Sequence, residues 1–329
     1  MRRWELLAVL CGVAGLVPAA QAQTSSQTRS VAMVLAFQEI DAEGQKYFAA
    51  FQQELQRLGW APGENLKLDV RWGVTNSDRA DRAAAELIAR KPDLIVAHAT
   101  VGTRAFVQQT KDIPIVFTNV SDPVGERFVK SFARPGGTVT GFTNVEPTIG
   151  GKYLELLKEI APTVSHAVML YNPASTPGRG AFFYGPFEAA GPKLSVQTSK
   201  AEVSSLADLE NVIEGIARER GGLVVIGEPF TNLHRARILE LAAERQLPAV
   251  CPYRFYAEKG CLISYGVDFT DQFKRAASYV DRILKGDRPD TLAVQSPVKF
   301  EMNINLKTAK SLAVTVPPRL LYTADEVIE

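Results

Sequence analysis

The side chains best suited to hold a small charged molecule stand in loops that follow predicted strands. Thr100 and Thr103 come where a helix is predicted to begin. Their hydroxyl groups, with the free backbone N–H groups of that helix, could hold a carboxylate without a formal positive charge. Helix N-capping is the competing role. Asp122 and Asp268 could receive an ammonium group, and their competing role is hydrogen bonding within a turn or at a helix start.

Other loop residues could hold the uncharged part of such a molecule. Aromatic side chains in these loops could clamp an apolar or aromatic body, as concave sites prefer. For any single aromatic residue, packing in the core competes with this role. The remaining candidates are the aromatic residues Phe37, Tyr171, Phe230 and Tyr253, and the amides Gln38, Asn119, Asn144 and Asn172.

The sequence lacks the motifs that mark common enzymes. There is no G-x-S-x-G nucleophile elbow, no G-x-G-x-x-G after the first strand and no G-x-x-x-x-G-K-[ST]. Gly150-Gly151-Lys152 resembles the end of a phosphate-binding loop, but Glu146 stands where the first glycine of that loop should be. No C-x-x-C or H-E-x-x-H occurs, and the three histidines are far apart in the chain. We therefore predict no catalytic residues, no metal site and no cofactor.

The charge balance argues against a nucleic-acid partner. The chain has 37 Lys plus Arg and 36 Asp plus Glu, a formal net charge of +1. A nearly neutral protein has no overall field to hold a polyanion, and no basic cluster with interleaved aromatic residues occurs in the sequence.

Short β-branched runs alternate with helical runs along the chain. The first strand is predicted at 31–37, and the helix predicted at 41–58 carries Phe48, Phe51 and Leu55 on one stripe. This alternation is the signature of a parallel sheet that is covered by helices on both faces. Ligands bind outside the carboxyl ends of the strands in such sheets, which is where the candidate residues stand.

The alternation is interrupted once by turn-rich residues and then restarts, which indicates a crossover between two halves of similar size. The predicted fold class is therefore α/β, with two doubly wound Rossmann-like lobes joined by a hinge. The predicted organisation is a signal peptide at 1–22, a flexible leader at 23–30, a first lobe at 31–120 plus 297–329, a crossover at 121–142, a second lobe at 143–265, and a second crossover and helix at 266–296.

The first residues predict export. Arg2 and Arg3 precede a short apolar run at 6–17, and Ala20 and Ala22 fill the A-x-A cleavage positions. The apolar run is shorter than the roughly 20 residues that a membrane-spanning helix needs. The expected location is therefore periplasmic, after cleavage following Ala22; the alternative is an N-terminal membrane anchor.

Two cysteines remain after the predicted cleavage. Cys251 and Cys261 are ten residues apart and could form a disulfide in an oxidising compartment. The alternative is a pair of buried free thiols, because sequence alone does not show whether their Cα atoms come within bonding range.

Recognisable segments run in order through nearly the whole mature chain. They are Phe51-x-x-x-Leu55-x-x-Leu58-Gly59-Trp60, Ile113-Pro-Ile-Val-Phe117, Ser121-Asp-Pro-Val-Gly125, Arg134-Pro-Gly-Gly137-x-x-x-Gly141-Phe142-Thr143, Ile263-Ser-Tyr-Gly266, Lys299-Phe300-Glu301-x-x-Ile304-Asn305 and Val316-Pro-Pro318. Together they resemble the ABC transporter substrate-binding protein family that includes the tryptophan/tyrosine-type binding proteins.

This resemblance implies a type I periplasmic-binding-protein fold in which two lobes enclose a small-molecule ligand by hinge closure. It implies a monomer that delivers an amino acid or aromatic acid to an ABC permease in the inner membrane, powered by a separate ATPase. The loop at 100–103, the segment at 119–122 and Asp268 would line the cleft. The alternatives are a ligand-sensing subunit of a periplasmic signalling receptor and, with less support, an exported α/β enzyme.

Overall fold

The computed structural model describes residues 28–329. The predicted signal peptide and most of the predicted leader lie outside this range. The strands are β1 (Arg29–Val34), β2 (Leu66–Arg71), β3 (Leu94–His98), β4 (Ile115–Val120), β5 (Val139–Thr143), β6 (His166–Tyr171), β7 (Gln197–Glu202), β8 (Gly222–Val225), β9 (Ala249–Cys251), β10 (Ile263–Val267), β11 (Phe300–Asn305) and β12 (Glu326–Ile328). The helices are α1 (Ala42–Arg57), α2 (Ser77–Ala89), α3 (Ala99–Gln109), α4 (Ile149–Ile160), α5 (Ala181–Leu194), α6 (Leu206–Arg218), α7 (Pro229–Leu233), α8 (Arg235–Glu244), α9 (Arg254–Glu258), α10 (Phe269–Leu284), α11 (Leu306–Ser311) and α12 (Pro318–Thr323).

Lobe 1 is built on a five-stranded parallel sheet in the order β2-β1-β3-β4-β5. Every residue of β3 and β4 is buried, as expected for central strands that have helices on both faces. Alanines and Leu87 of α2 pack on one face together with Phe106 of α3. Helices α1 and α10 cover the other face, where Tyr47 stacks on Phe273 with ring centroids 5.8 Å apart.

Lobe 2 contains a seven-stranded sheet in the order β12-β11-β10-β9-β8-β6-β7. The strands from β6 to β10 are parallel, and β11 runs antiparallel to β10. Residues of α4 and α5 pack on one face, and residues of α6 and α8 pack on the other. Two doubly wound lobes are thus present, which confirms the predicted fold class.

The chain passes between the lobes three times. The first crossing follows β5, the second lies between β10 and α10, and the third leads from residue 295 to β11. At the third crossing, Gln295 lies beside β5, where its N–H donates to Gly141 O at 2.9 Å and its carbonyl accepts from Thr143 N at 2.9 Å. The crossings therefore run side by side at one edge of the cleft, where they can act as a hinge.

The tail of the chain belongs to lobe 2, so the predicted assignment of 297–329 to lobe 1 is wrong. β11 pairs with β10 over five residues, from Ile263 opposite Ile304 to Val267 opposite Phe300. The element that returns to lobe 1 is α10, which the sequence analysis placed in the second crossover at 266–296. Strand pairing depends on contacts between residues that are distant in the sequence, and no local pattern in the tail indicates which strand it pairs with.

The first crossover also lies later in the chain than its predicted position at 121–142. Phe128 and Val129 pack into the core of lobe 1, and β5 is the fifth strand of its sheet. The turn-rich residues indicated a break in the α/β alternation correctly, but that break lies within lobe 1.

Gly141 shows why one of the recognisable segments contains glycine. Its φ is +154°, and a Cβ atom at this position would lie 2.1 Å from Phe117 O in the neighbouring strand. We expect Gly141→Ala to lower the free energy of unfolding by about 2 kcal/mol or more, because β5 would have to move away from β4. Urea unfolding measures this change. The control is Gly215→Ala in α6, where a Cβ atom meets nothing within 4 Å; equal losses in both variants would contradict the explanation.

Within residues 28–329, every helix is either too short or too polar to span a bilayer.

Candidate binding cleft

The carboxyl ends of the parallel strands of the two lobes face each other across a cleft. Two residues at the lobe 1 side have left-handed backbone conformations without being glycine: Ala99, with φ of 67°, and Asn119, with φ of 57°. Such conformations are sparsely populated for residues with a side chain, and they concentrate at functional sites. Ala99 and Asn119 therefore mark the ends of β3 and β4 as candidate parts of a functional site.

A buried polar chain runs through the middle of the cleft. His98 Nε2 lies 3.1 Å from the side-chain amide of Asn119, and that amide lies 2.5 Å from the amide of Asn144. Asn144 in turn lies 3.4 Å from the hydroxyl oxygen of Tyr253, which belongs to lobe 2. The other terminal atom of Asn144 is buried and has no hydrogen-bond partner among the described residues. The structure thus brings together three predicted site residues: Asn119, Asn144 and Tyr253.

The imidazole of His98 is neutral in this environment. Its Nδ1 accepts a hydrogen bond from Ala36 N at 3.2 Å, and the rings of Phe37 and Phe273 lie 5.2 and 5.7 Å away. Burial lowers the pKa of His98 to about 3, because desolvation disfavours the charged imidazolium. His98 was not among the predicted site residues, because the histidines of the sequence show no spacing typical of metal ligands.

Gln272 of α10 fixes the backbone beneath the polar chain. Its Oε1 accepts from Asn119 N at 2.9 Å, and its Nε2 donates to Thr143 O at 2.9 Å. This side chain therefore ties the end of β4 to the end of β5. The signal in the sequence is a glutamine one residue before Phe273, on the apolar stripe of α10, and the sequence analysis missed it.

The lobe 2 wall contains a buried carboxylate. Glu228 is 4% exposed and caps α7, where it accepts from the hydroxyl of Ser175, from Phe230 N at 2.8 Å and from Thr231 N at 2.9 Å. Burial raises the pKa of Glu228 above its ordinary value despite these bonds, since desolvation penalises the anion. Phe230, two residues further along, was a predicted site residue, whereas Glu228 was not.

Two cavities open between the lobes. The first has a volume of about 270 Å³ and contains the predicted residues Asn172 and Phe230. The second, with a volume of about 650 Å³, is more open and contains Phe37 and Gln38. Residues of both lobes line each cavity. The first is lined among others by Asn76, Val101, Ser175 and His234.

Several predicted site residues have local structural contacts instead. The hydroxyl of Tyr171 donates to Glu202 at 3.1 Å on the neighbouring strand β7, and its ring is in the lobe 2 core. Asp122 accepts from Gly125 N at 2.8 Å within a turn. The hydroxyl of Thr103 donates to Ala99 O at 2.9 Å inside α3.

Two further predicted residues stand at element starts. Thr100 is buried in the first turn of α3, so it does not serve as the N-cap, a position that His98 occupies. Asp268 caps α10 by accepting from Thr270 N at 2.8 Å, at the second crossing between the lobes. Contact between either side chain and a ligand stays a prediction.

The two remaining cysteines form a disulfide. Cys251 and Cys261 are bonded, with their Cα atoms 6.4 Å apart, so the bonded alternative of the two sequence-based interpretations is the one found. The bond joins the end of β9 to the start of β10 and closes the loop that carries Tyr253.

Polar contacts connect the lobes directly at more than one place. Arg235 of lobe 2 forms a salt bridge of 2.6 Å with Asp41 of lobe 1, in which the two side chains are 21% and 9% exposed. In addition, Gly178 N donates to Glu126 Oε1 at 3.3 Å, and Arg104 donates to Ala174 O at 3.4 Å. The structure therefore shows the lobes closed onto each other.

Similar proteins of known sequence and structure share this architecture. A tyrosine-binding protein from Clostridioides difficile is 25% identical over 265 residues, which cover 80% of this chain and 75% of the relative. The structure of a conserved domain protein from Vibrio cholerae is 28% identical, with a TM-score of 0.84, 92% of this chain covered and 100% of the other.

Two structures with lower sequence identity show the same fold. An ABC domain from Streptococcus pneumonia in complex with L-Trp has a TM-score of 0.83 at 22% identity, covering 92% of this chain and 100% of the other. A ligand-free, open substrate-binding protein with adhesive properties from Clostridium difficile has a TM-score of 0.65 at 21% identity, covering 91% of this chain and 99% of the other.

The family described as ABC transporter substrate binding protein matches residues 31–328, from the third residue of β1 to the end of β12. With a two-lobed fold, an interlobe cleft and a match over nearly all of the described residues, this chain belongs to the ABC transporter substrate-binding protein family.

Proposed function

We propose that this protein binds an amino acid with an aromatic or large apolar side chain in the cleft and delivers it to an ABC importer. The observation that carries the proposal is the buried polar chain between the lobes, in which one amide atom of Asn144 has no hydrogen-bond partner among the described residues. The aromatic ring of Phe230 lines a cavity between the same two lobes. Neutral donors such as these can hold a carboxylate, while the aromatic wall suits an apolar side chain.

Glu228 offers a partner for the ammonium group of such a ligand. It is a carboxylate with a pKa raised by burial, so its anionic form would gain stability from a nearby positive charge. Asp268 and Asp122 were the sequence-based candidates for this role, but Asp122 serves a turn. Glu228 is the more deeply buried carboxylate, and it accepts hydrogen bonds from Ser175 and Thr231 of lobe 2.

The relatives support this ligand class. One relative is named a tyrosine-binding protein, and one structure contains L-Trp. This chain superposes better on the L-Trp complex than on the ligand-free, open structure, with TM-scores of 0.83 and 0.65, which supports closure of the lobes as the ligand-bound form. Closure by a ligand requires contacts that only the closed form makes, and the salt bridge between Asp41 and Arg235 is one of them.

Family membership supports delivery to a permease, and the predicted signal peptide at 1–22 supports export. In this proposal the protein works outside the inner membrane, in the periplasm. The closed shape is what an ABC permease with its separate ATPase would receive, and no nucleic acid takes part.

Unfolding of residues 23–329 in the presence of candidate ligands tests the ligand class. We expect L-tyrosine, L-tryptophan or L-phenylalanine to raise the free energy of unfolding by about 2.7 kcal/mol at a concentration of about 100 times the dissociation constant. The matched deaminated acids should shift it less, because they lack the ammonium group. Myo-inositol is the control, since a protein that binds it shares the fold at a TM-score of 0.58. A shift with myo-inositol and with none of the amino acids would reject the proposed ligand class.

A further inference from the structure

His98, the first residue of the buried polar chain, determines which atom donates and which atom accepts in each hydrogen bond of the chain. The backbone N–H of Ala36 can only donate, and it lies 3.2 Å from His98 Nδ1, so Nδ1 accepts. The ring is neutral because burial lowers the pKa of His98 to about 3. A neutral imidazole that accepts at Nδ1 carries its proton on Nε2. His98 Nε2–H therefore needs an acceptor on Asn119.

Asn119 has one side-chain acceptor, its amide oxygen. The nitrogen and oxygen of an asparagine amide have nearly the same outline, so their positions follow from the hydrogen bonds they make. With the nitrogen of Asn119 toward His98, two N–H donors would face each other at 3.1 Å. The oxygen of Asn119 is therefore the atom that faces His98, and its nitrogen faces Asn144 at 2.5 Å.

The orientation of Asn119 determines the orientation of Asn144. The atom of Asn144 that meets the nitrogen of Asn119 must be an acceptor, so it is the amide oxygen. This oxygen is also the atom that lies 3.4 Å from the hydroxyl of Tyr253, which is able to donate to it. The remaining atom of Asn144, buried and unpartnered among the described residues, is then the NH2 group.

We propose that His98 is a positioning residue that acts through Asn119 and fixes the NH2 group of Asn144 as the free end of the chain. This point of the cleft then takes a hydrogen-bond acceptor of the ligand, such as its carboxylate, and rejects an ammonium group. This inference rests on the proposed function for the presence of a ligand, and it assigns the orientation in which the ligand binds. Asn144 stands between the lobes because it contacts Asn119 of lobe 1 and Tyr253 of lobe 2.

The free end of the chain gives this arrangement its selectivity. A buried NH2 group without a partner is unfavourable, and a ligand oxygen that pairs with it removes that cost. An amide that was free to turn would serve a donor or an acceptor equally well. Because His98 cannot exchange the roles of its two nitrogens while Ala36 N–H points at Nδ1, the amides of Asn119 and Asn144 cannot turn without leaving two donors face to face.

The tautomer of His98 is the first test, and it needs no ligand. Nitrogen-15 NMR of the ligand-free protein is expected to show His98 neutral and protonated at Nε2, at every pH across the range where free histidine titrates. The spectrum of His98→Gln assigns the signal. A proton on Nδ1, or a charged ring, would overturn the proposal. The protonation of His98 does not depend on the ligand class. If the protein bound none of the amino acids, the proposed function would be refuted, and the NMR spectrum would still decide the direction of the hydrogen bonds in the chain.

The second test exchanges the free end of the chain. Asn144→Asp keeps an acceptor toward Asn119 and Tyr253 but replaces the NH2 group with a carboxylate oxygen. Calorimetric titration with L-tyrosine or L-tryptophan, whichever the wild type binds, is expected to show an affinity reduced roughly 10- to 100-fold. An unchanged or higher affinity of Asn144→Asp would show that the free atom of Asn144 in the wild type does not donate to the ligand, and it would refute the proposal. Asn211→Asp, on the exposed side of α6, adds the same charge away from the cleft and should bind as the wild type does, and unfolding curves of both variants check that they fold.

Discussion

Arg235→Ala is expected to weaken ligand binding by roughly tenfold, because each 1.4 kcal/mol lost from the closed form lowers the affinity by that factor. The Arg235–Asp41 salt bridge joins the lobes directly, at 2.6 Å, and its two side chains are only 21% and 9% exposed. A partly buried pair of this kind contributes more than an exposed one, and loss of the arginine leaves Asp41 without its cross-lobe partner. Asp41 also caps α1 through Glu43 N and Gly44 N, so Arg235 is the better residue to change.

Titration calorimetry gives the affinity, and small-angle X-ray scattering of the ligand-free variant gives the lobe separation. The matched control is Arg237→Ala, two residues further along α8, because the ion pairs of Arg237 with Glu210 and Glu240 lie wholly within lobe 2. It should bind as the wild type does. Equal losses of affinity in the two variants would show that general destabilisation of α8, and not lobe closure, explains the effect.

Reduction of the Cys251–Cys261 bond is expected to lower the free energy of unfolding by about 3 kcal/mol, the value for a closed loop of about this length. The bond closes a loop of sequence separation 10, and both cysteines are buried. Reduction also frees the loop that carries Tyr253, so ligand affinity should fall together with stability.

Urea unfolding with and without a thiol reductant measures this loss. In the double variant Cys251→Ala and Cys261→Ala, the reductant should change nothing, which separates breakage of the bond from other effects of the reagent. A wild-type protein whose thiols are shown by mass spectrometry to be free, yet which unfolds at the same urea concentration as the oxidised form, would contradict the expectation.

Periodicity in the sequence was enough to predict the elements and the fold class, because each element shows its own pattern of buried positions. The first strand and the alternating helices are found as predicted, and the family match confirms a substrate-binding protein as opposed to an enzyme. The tail was misplaced because β11 joins β10 by antiparallel pairing, and the pattern of a strand does not tell which strand it will pair with.

The site was predictable only as far as strand ends are predictable. Asn119 is the penultimate residue of β4, and Asn144 and Tyr253 follow the ends of β5 and β9, so the three side chains meet at carboxyl ends of strands. Tyr171 also ends a strand, but it lies opposite Glu202 in the register of β6 and β7, and its hydroxyl bonds there. The spacing places Gln272 on the apolar stripe of α10, but it does not give the roles of Gln272 and His98, because those roles depend on hydrogen bonds to distant backbone atoms.

The placement of α10 determines the order in which the molecule can be completed during synthesis. This helix contacts α1 through Phe273 and Tyr47, and Asp281 accepts from Trp60 Nε1 at 2.8 Å across a sequence separation of 221. The strands of lobe 1 are synthesised first, but the part of their sheet that α10 covers stays exposed until most of lobe 2 has followed. Contacts of such long range form slowly, and an uncovered apolar face favours aggregation. Lobe 1 therefore cannot complete its core until α10, which is synthesised near the end of the chain, is available to pack on it.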